Sequence, residues 1–431
     1  MAKMKVDFDR CKGCGLCTTA CPKKIVALQT EKLNKTVDEY IPQAQQALTD
    51  AKALTEAAVT GNRGLHTFLT GLEVTTMAEK SLMKGNEALA EAAIRAGCKC
   101  FFGYPITPQT EISAYLSKRM PKVGGVFLQA ESEVAAINMV YGCAGSGIRC
   151  MTSSSSPGIS LKTEGISYIA GSDLPCVIID VQRGGPGLGG IQPSQADYWQ
   201  ITHALGHGDF HAIVFAPASV QEMVDTVTKA FDLADEYRMP AVILADGLLG
   251  QMMEPVAFED TEIKMSDASK KPWAACGHGN KRKHNIINSL YLKPDQLEDN
   301  VRERFERYED LKAKHTEAVS DYCEDADTVV VAYGSTARLA KSAVEAARKE
   351  GLKVGIVRPI TLWPYPAKEI AEACKNAKNV LCVEMSMGQM VDDVKLAVNC
   401  SKPVEFYGRT GGVIPKPAEI LEKLREMGGK N

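Results

Sequence analysis

Four cysteines near the amino terminus have the spacing of an iron-binding site. The run C-x2-C-x2-C-x3-C-P comprises Cys11, Cys14, Cys17, Cys21 and the following Pro22. Cysteine thiolates at this spacing bind iron–sulfur clusters, and in modules with two such runs the fourth cysteine binds the cluster of the other run. Because the sequence contains one run only, three arrangements stay open: a single 4Fe-4S cluster closed by Cys21, two chains that pair their half-modules, or a shortened module without a complete cluster.

An acidic residue at the predicted start of an apolar helix is a candidate for proton transfer. Glu133 follows the apolar run VFLQA and is itself followed by the run VAAI. A carboxylate in such surroundings, close to the positive end of a helix dipole, can share a proton with a nitrogen of a bound cofactor. Taken alone, the residues favour the alternative interpretation, an ordinary acid in a first helical turn.

Three further polar segments follow predicted strands. They are the loop YPITPQTE around Thr107, the segment TSSSSPG, and Arg183 with the glycine-rich loop behind it. Ligands of doubly wound sheets bind at the carboxyl ends of strands, and the arginine fork is suited to a carboxylate. The alternative for Thr107 is a rigid turn in which it caps the next helix. The sequence contains no G-x-S-x-G, P-loop or dinucleotide-binding motif.

A basic loop contains a weaker metal-binding candidate. Cys276, His278 and His284 lie within it, but a solvated loop is the favoured interpretation. The ten cysteines outside the opening run lie mostly among apolar neighbours, which predicts reduced, buried side chains rather than a disulfide framework.

The elements that position these residues alternate from about Met77 onward. Short apolar runs such as LPCVIIDVQ and PAVILAD alternate with helical patterns, which predicts an α/β fold with a doubly wound, mostly parallel sheet. The composition shifts predict five segments. They are a cysteine module at residues 1–35, a helical linker at 36–76, a first α/β domain at 77–255, a polar linker with a helix at 256–325, and a second α/β domain at 326–431.

Composition excludes some classes of protein. The 431 residues have a net charge of −3, which gives no basic surface for nucleic acid. No apolar run reaches the ~18 residues of a membrane span, and the first residues lack the apolar core of a signal peptide. A cytoplasmic protein is therefore expected.

Several of these segments together resemble a known family. GYPITPQTE, QAESEVAAINMVYGCAGSG, TSSSSPGISLK, QRGGPGLGGIQPSQAD, RPITLWPYP and VEMSMGQM occur in this order between residues 77 and 431. They resemble the alpha subunit of 2-oxoacid:ferredoxin oxidoreductases, and most of all the branched-chain type that acts on 2-oxoisovalerate (3-methyl-2-oxobutanoate). The first 35 residues are similar to half of the ferredoxin-like delta subunit of the same enzymes.

The resemblance implies a fold and a reaction. The fold would be a thiamine-diphosphate pyrimidine-binding domain and a transketolase C-terminal-like α/β domain, preceded by a small ferredoxin-like module. The reaction would be the thiamine-dependent decarboxylation of a 2-oxoacid, with coenzyme A accepting the acyl group and ferredoxin the electrons.

The resemblance also assigns roles to individual residues. Glu133 would hydrogen-bond the aminopyrimidine ring of the cofactor. Thr107 would contact the cofactor and the substrate carboxylate, with which Arg183 would pair. Tyr104 and Ser155 would line the substrate pocket.

The expected partners follow from an absent motif. The sequence lacks the G-D-G run and distant Asn that hold the diphosphate and Mg²⁺ in thiamine enzymes, so a separate beta subunit would supply them. Gamma and delta subunits and ferredoxin would complete the system. Two alternatives stay open: 2-oxoglutarate or pyruvate as the substrate, and a non-catalytic subunit for electron transfer or assembly.

Overall fold

The computed structural model describes residues 80–258 and 267–428. These residues belong to one compact unit, Ala78–Asn431. The cysteine run at residues 11–21 and the helical linker predicted for residues 36–76 lie outside the described residues.

The first part of the described chain alternates strands and helices as the sequence predicts. In order, its elements are β1 (Ser81–Lys84), α1 (Gly85–Arg95), β2 (Cys100–Gly103), α2 (Thr110–Arg119), β3 (Val126–Gln129), α3 (Glu133–Gly145), β4 (Cys150–Ser154), α4 (Ser156–Ser160), α5 (Thr163–Gly171), β5 (Cys176–Gln182), α6 (Tyr198–Thr202), β6 (Ile213–Phe215), α7 (Val220–Tyr237), β7 (Pro240–Asp246), α8 (Gly247–Gln251) and β8 (Met253–Val256).

The second part repeats the alternation on a smaller scale. Its elements are α9 (Pro294–His315), β9 (Ala318–Asp321), β10 (Thr328–Val331), α10 (Gly334–Lys349), β11 (Val354–Pro359), β12 (Thr361–Trp363), α11 (Ala367–Ala373), β13 (Asn379–Glu384), α12 (Met390–Ala397), β14 (Val404–Gly408) and α13 (Pro417–Gly428).

Two main sheets form the cores of these parts. The larger sheet has the strand order β12-β6-β7-β5-β4-β2-β3, and the smaller has the order β14-β13-β10-β11-β9. Each is parallel apart from one edge strand, β12 in the larger and β9 in the smaller. Every residue of the central strands β5 and β7 is buried, as expected for parallel strands that helices cover on both faces. The prediction of a doubly wound α/β fold is confirmed.

One strand joins the two parts. β12 follows β11 of the smaller sheet, yet it pairs antiparallel with β6 at the edge of the larger sheet. β1 and β8 form a separate two-stranded antiparallel ribbon.

The chain from residue 157 to 172 differs from its predicted structure. The sequence pattern predicts one continuous helix, but the structure has two, α4 and α5, separated at Leu161 and Lys162. The break buries Lys162 completely while Leu161 stays exposed. The lysine is buried and the neighbouring leucine is exposed, which is the reverse of what their polarity predicts, so tertiary packing decides the local structure here.

The cysteines follow the prediction in part. All ten in the described residues are free, and seven of them are buried. Cys276 and Cys400 are exposed, because each lies in a loop. Within residues 80–258 and 267–428 no group of three metal-ligating side chains is suited to an ion. No helix in these ranges is both long and apolar enough to cross a membrane.

Candidate active site

Four adjacent parallel strands bring the predicted site residues to one edge of the larger sheet. β5, β4, β2 and β3 are neighbours in that order, so their carboxyl ends meet at the same edge. Arg183 directly follows β5, Ser155 follows β4, and the loop with Tyr104 and Thr107 follows β2. Glu133 lies four residues beyond the end of β3. Residues spread over 80 positions of sequence therefore lie close together.

Glu133 begins α3 and is buried. The hydroxyl of Ser132 caps this helix by accepting a hydrogen bond from the Ala135 N–H at 3.1 Å. The helix start thus holds Glu133 in place, with only 6% of its surface exposed. Its side chain lies against Gly158 in α4, where a Cβ atom would stand 2.8 Å from Glu133 Oε1 and would also collide with Ser154 Oγ. Any larger residue at position 158 would therefore displace Glu133 or Ser154.

A short chain of hydrogen bonds connects the loop after β2 to β4. Ser153 Oγ donates to Gln109 Oε1 at 2.6 Å, and Gln109 Nε2 donates to the Tyr104 carbonyl at 3.2 Å. Gln109, rather than Thr107, is the cap residue of α2, so the capping role considered for Thr107 is wrong. Thr107 and Tyr104 are both exposed at the mouth of the site.

Arg183 is held at the same loop. Its two terminal nitrogens donate to the carbonyls of Thr107, at 2.9 Å, and Leu188, at 3.0 Å. Its backbone N–H donates to Ser156 Oγ at 3.0 Å. The structure thus places Arg183 beside Thr107.

Two buried acids, Asp180 and Asp197, are hydrogen-bonded to Ser156, the residue that also bonds to the backbone of Arg183. Ser156 Oγ also bonds to Asp197, and the Ser156 N–H donates to Asp180 at 3.3 Å. Burial, together with the charge of Asp197, raises the pKa of Asp180 well above its usual range. Burial also raises the pKa of Asp197. The hydrogen bond from Ser156 and the positive charge of Arg183 oppose this increase. Both shifts show that a second negative charge is unfavourable at this buried pair.

Several buried polar atoms in this region lack partners. Among the described residues, no hydrogen bond reaches Thr152 Oγ1, Ser154 Oγ, Ser155 Oγ, Lys162 Nζ, Asp180 Oδ2 or Arg183 Nε. Unsatisfied buried polar atoms are costly and rare in folded proteins. Their concentration along one sheet edge indicates a binding site for a polar molecule.

Sequence reasoning missed some residues of this site. Asp180 interrupts the apolar strand LPCVIIDVQ, and a charge in the middle of a buried strand was a signal that could have identified it. Lys162 and Asp197 gave no comparable signal, because each lies in an ordinary polar or helical context. Their importance depends on burial, which the three-dimensional structure reveals.

Large apolar side chains are exposed around the site. They are Leu128, Val134, Leu161, Leu188 and Ile191, with exposed fractions from 39% to 84%. Exposed apolar residues grouped around a polar site are typical of a surface that another chain covers.

The fold and the site define the chain as an α/β protein with a ligand site at the carboxyl edge of its larger sheet. Comparison with known proteins then identifies the family. Residues 91–333 match the pyruvate flavodoxin/ferredoxin oxidoreductase family, thiamine-diphosphate-binding domain. Residues 326–420 match core domain II of pyruvate:ferredoxin oxidoreductase, and residues 2–23 match a 4Fe-4S binding domain. The chain belongs to the thiamine-diphosphate-dependent 2-oxoacid:ferredoxin oxidoreductases.

Two relatives cover most of the chain. The ketoisovalerate oxidoreductase subunit VorB of Methanothermobacter thermautotrophicus is 48% identical over 81% of this chain and 98% of its own length. The 2-oxoglutarate synthase subunit KorA of Methanothermobacter marburgensis is 36% identical over 81% of this chain and all of its own length. The matched relatives are subunits, so this chain works in a complex with other subunits.

A solved structure has the same architecture. The 2-oxoglutarate:ferredoxin oxidoreductase from Magnetococcus marinus, with 2-oxoglutarate, coenzyme A and succinyl-CoA bound, has a TM-score of 0.72 and 27% identity over 81% of this chain and 66% of that chain. A split-gene transketolase matches with a TM-score of 0.50 and 15% identity, which supports the fold alone. The predicted thiamine-diphosphate fold and the presence of a 4Fe-4S module are confirmed.

Proposed function

We propose that this chain is the pyrimidine-binding alpha subunit of an enzyme that oxidatively decarboxylates branched-chain 2-oxoacids such as 2-oxoisovalerate. The reaction converts the 2-oxoacid and coenzyme A to acyl-CoA and CO₂, and two electrons pass one at a time to ferredoxin. The observation that carries the proposal is Glu133, buried at the start of α3 close to the unpartnered hydroxyl of Ser154.

The residues at the sheet edge fit the pyrimidine half of thiamine diphosphate. Glu133 would bond a ring nitrogen, while the unpartnered hydroxyls of Ser154 and Ser155 are free to bond further polar atoms. Gly158 keeps the space beside Glu133 open. The bound cofactor supplies the nucleophilic carbon and the electron sink that decarboxylation needs.

The substrate carboxylate would lie at Arg183 and Thr107. The guanidinium is fixed by two backbone carbonyls, so little side-chain entropy is lost when it pairs with an anion. Tyr104 and Ser155 would line the pocket from either side. Branched-chain specificity is supported by the 48% identity to the VorB subunit, against 36% for the KorA subunit.

A partner chain would cover the exposed apolar rim. The sequence has no G-D-G run for the diphosphate and Mg²⁺, and a beta subunit that carries one would complete the cofactor site. Gamma and delta subunits would complete the enzyme. A cluster held by Cys11, Cys14, Cys17 and Cys21 would pass electrons toward ferredoxin in the cytoplasm.

A substrate panel tests this proposal. The full chain, produced anaerobically with a beta subunit that carries G-D-G, is assayed for dye reduction that depends on coenzyme A and thiamine diphosphate. We expect kcat/KM for 2-oxoisovalerate to exceed that for 2-oxoglutarate and pyruvate by about tenfold or more, because specificity is a difference in transition-state binding.

Two outcomes would contradict the proposal. A preference for 2-oxoglutarate or pyruvate would refute the substrate class, and no activity with any 2-oxoacid would favour an assembly role. Glu133→Gln should abolish turnover, whereas Glu131→Gln, which alters an exposed acid two residues away, should retain it.

A further inference from the structure

Lys162 is a buried cation that the proposed mechanism does not use. It lies in the break between α4 and α5, and none of its surface is exposed. Among the described residues its Nζ has no hydrogen-bond partner. An ammonium group without a partner is expensive to bury, and replacing it with an apolar side chain would remove that cost. A residue retained against such a cost is a candidate for a functional role.

Lys162 lies in the segment that packs against the helix of Glu133. The Lys162 N–H donates to the Ile159 carbonyl at 2.8 Å, so Lys162 lies about one turn beyond Gly158, where an added Cβ atom would stand 2.8 Å from Glu133 Oε1. Gly165, three residues further on, lies so close to α3 that a Cβ atom would collide with Ile137. The break therefore packs tightly against the first turns of the helix that begins at Glu133.

The electrostatics agree with this placement. Burial lowers the pKa of Lys162 to about 8, and the charge that opposes this shift is that of Glu133. Lys162 thus stays predominantly protonated at neutral pH. The other buried ionisable groups near α4, namely Arg183, Asp180 and Asp197, are engaged with Ser156 or with loop carbonyls.

We propose that Lys162 is a positioning residue for Glu133, whose buried ammonium attracts the carboxylate and fixes its position beside the cofactor's ring. The attraction between opposite charges is stronger in a buried site than in water, because the effective dielectric constant is lower there. A fixed carboxylate would then meet the ring nitrogen of the bound cofactor in one geometry. This role rests on the proposed function of Glu133, but not on which 2-oxoacid is the substrate.

A double-mutant cycle on cofactor affinity tests the proposal. Affinity for thiamine diphosphate with Mg²⁺ is measured by calorimetry on the complex of the full chain with its beta subunit, for the parent, Lys162→Met, Glu133→Gln and the double variant. We expect Lys162→Met to weaken binding about tenfold in the parent, and to have less than about a twofold effect in the Glu133→Gln background. Equal effects in both backgrounds would overturn the proposal.

Two further measurements separate this role from others. Methionine matches the length of lysine without its charge, so the thermal unfolding midpoint of Lys162→Met should equal or exceed that of the parent. In steady-state kinetics its kcat should fall while KM for the 2-oxoacid stays unchanged. A rise in KM alone would mean that Lys162 binds the substrate carboxylate instead, which overturns the proposal. Lys349→Met, at an exposed lysine of α10, is the matched control and should change neither quantity.

Discussion

At the scale of single residues, the site depends on a glycine, Gly158, which lies beside the Glu133 carboxylate. Gly158 lies in α4 between Glu133 and Ser154, at a distance where no Cβ atom fits. The capped helix start fixes the backbone of Glu133, so only its side chain can move to make room. The position of the carboxylate is therefore set as much by the glycine beside it as by its own helix.

Gly158→Ala should displace Glu133 or Ser154 and lower kcat by about 100-fold, since a shift of about 1 Å in a catalytic group can have an effect of that size. Overpacking should also cost about 1–3 kcal/mol of stability. The measurements are steady-state kinetics of the assembled enzyme and denaturant unfolding of the chain.

Gly142→Ala in α3 is the control for this substitution. Within the described residues nothing lies within 4 Å of a Cβ atom placed there, so alanine should stabilise the helix by about 0.5–1 kcal/mol. Full activity in Gly158→Ala would contradict the prediction, because it would show that the site accommodates a Cβ atom at position 158 without displacing Glu133.

At the scale of elements, an aromatic cluster holds α9, β6 and β12 together. His211, just before β6, stacks on Trp363 of β12 with ring centroids 4.4 Å apart and planes 18° apart. Phe305 and Tyr308 of α9 contact the same imidazole, at 5.9 and 5.8 Å. Burial, with smaller contributions from the positive charges of Lys312 and His203, lowers the pKa of His211 to about 4.

This cluster should make the fold sensitive to acid. Because the folded-state pKa of His211 lies below its unfolded value, the contribution to stability is complete above about pH 6.5 and is lost as the pH falls toward 4. Allowing for partial solvent exposure, we expect a loss of about 1–2 kcal/mol. The measurement is the free energy of unfolding between pH 7 and 4 for the parent and His211→Phe, which keeps a ring but cannot be protonated.

Carboxylates that titrate in the same pH range affect the free energy of unfolding of both proteins alike. The difference between the parent and His211→Phe therefore reports the contribution of His211. The parent should lose more stability than His211→Phe as the pH falls. His284→Phe, at an exposed histidine, should behave like the parent. Parallel pH profiles for the parent and His211→Phe would contradict the assignment.

At the scale of the whole described unit, Gln195 connects the two sheets. It lies in the loop between β5 and α6 with none of its surface exposed. Its Nε2 donates to the Tyr333 carbonyl at 2.9 Å, and its Oε1 accepts from Thr336 Oγ1 at 2.7 Å and from the Met385 N–H at 3.1 Å. One amide therefore satisfies three groups at the carboxyl edge of the smaller sheet.

Gln195→Ala should leave those three groups unsatisfied and lower the free energy of unfolding by about 3 kcal/mol. The measurement is urea unfolding of the full chain, followed by circular dichroism. Gln296→Ala, at an exposed position of α9, should change stability by less than about 0.5 kcal/mol. Equal stability of the two variants would mean that the sheets are held together by other contacts.

Much of the fold was predictable because its signals are local. Apolar runs of strand length alternate with helical periodicity, and a doubly wound sheet follows from that alternation. The continuous helix predicted across residues 157–172 was wrong, because the chain breaks at Leu161 and Lys162, where Lys162 is fully buried, and no local pattern indicates that burial. The pairing of β12 with β6 was likewise not predictable, since it depends on how the two sheets pack.

The sequence by itself determined the family, the kind of cofactor and the residues after each strand, because these are carried by motifs whose order and spacing survive in a linear chain. The tertiary structure decided which of those residues meet. It placed Glu133 against Gly158, joined Arg183 to Thr107, and buried Lys162 and the Asp180–Asp197 pair behind them. Burial and charge pairing depend on which strands become neighbours, and the order of strands in a sheet differs from their order in the chain.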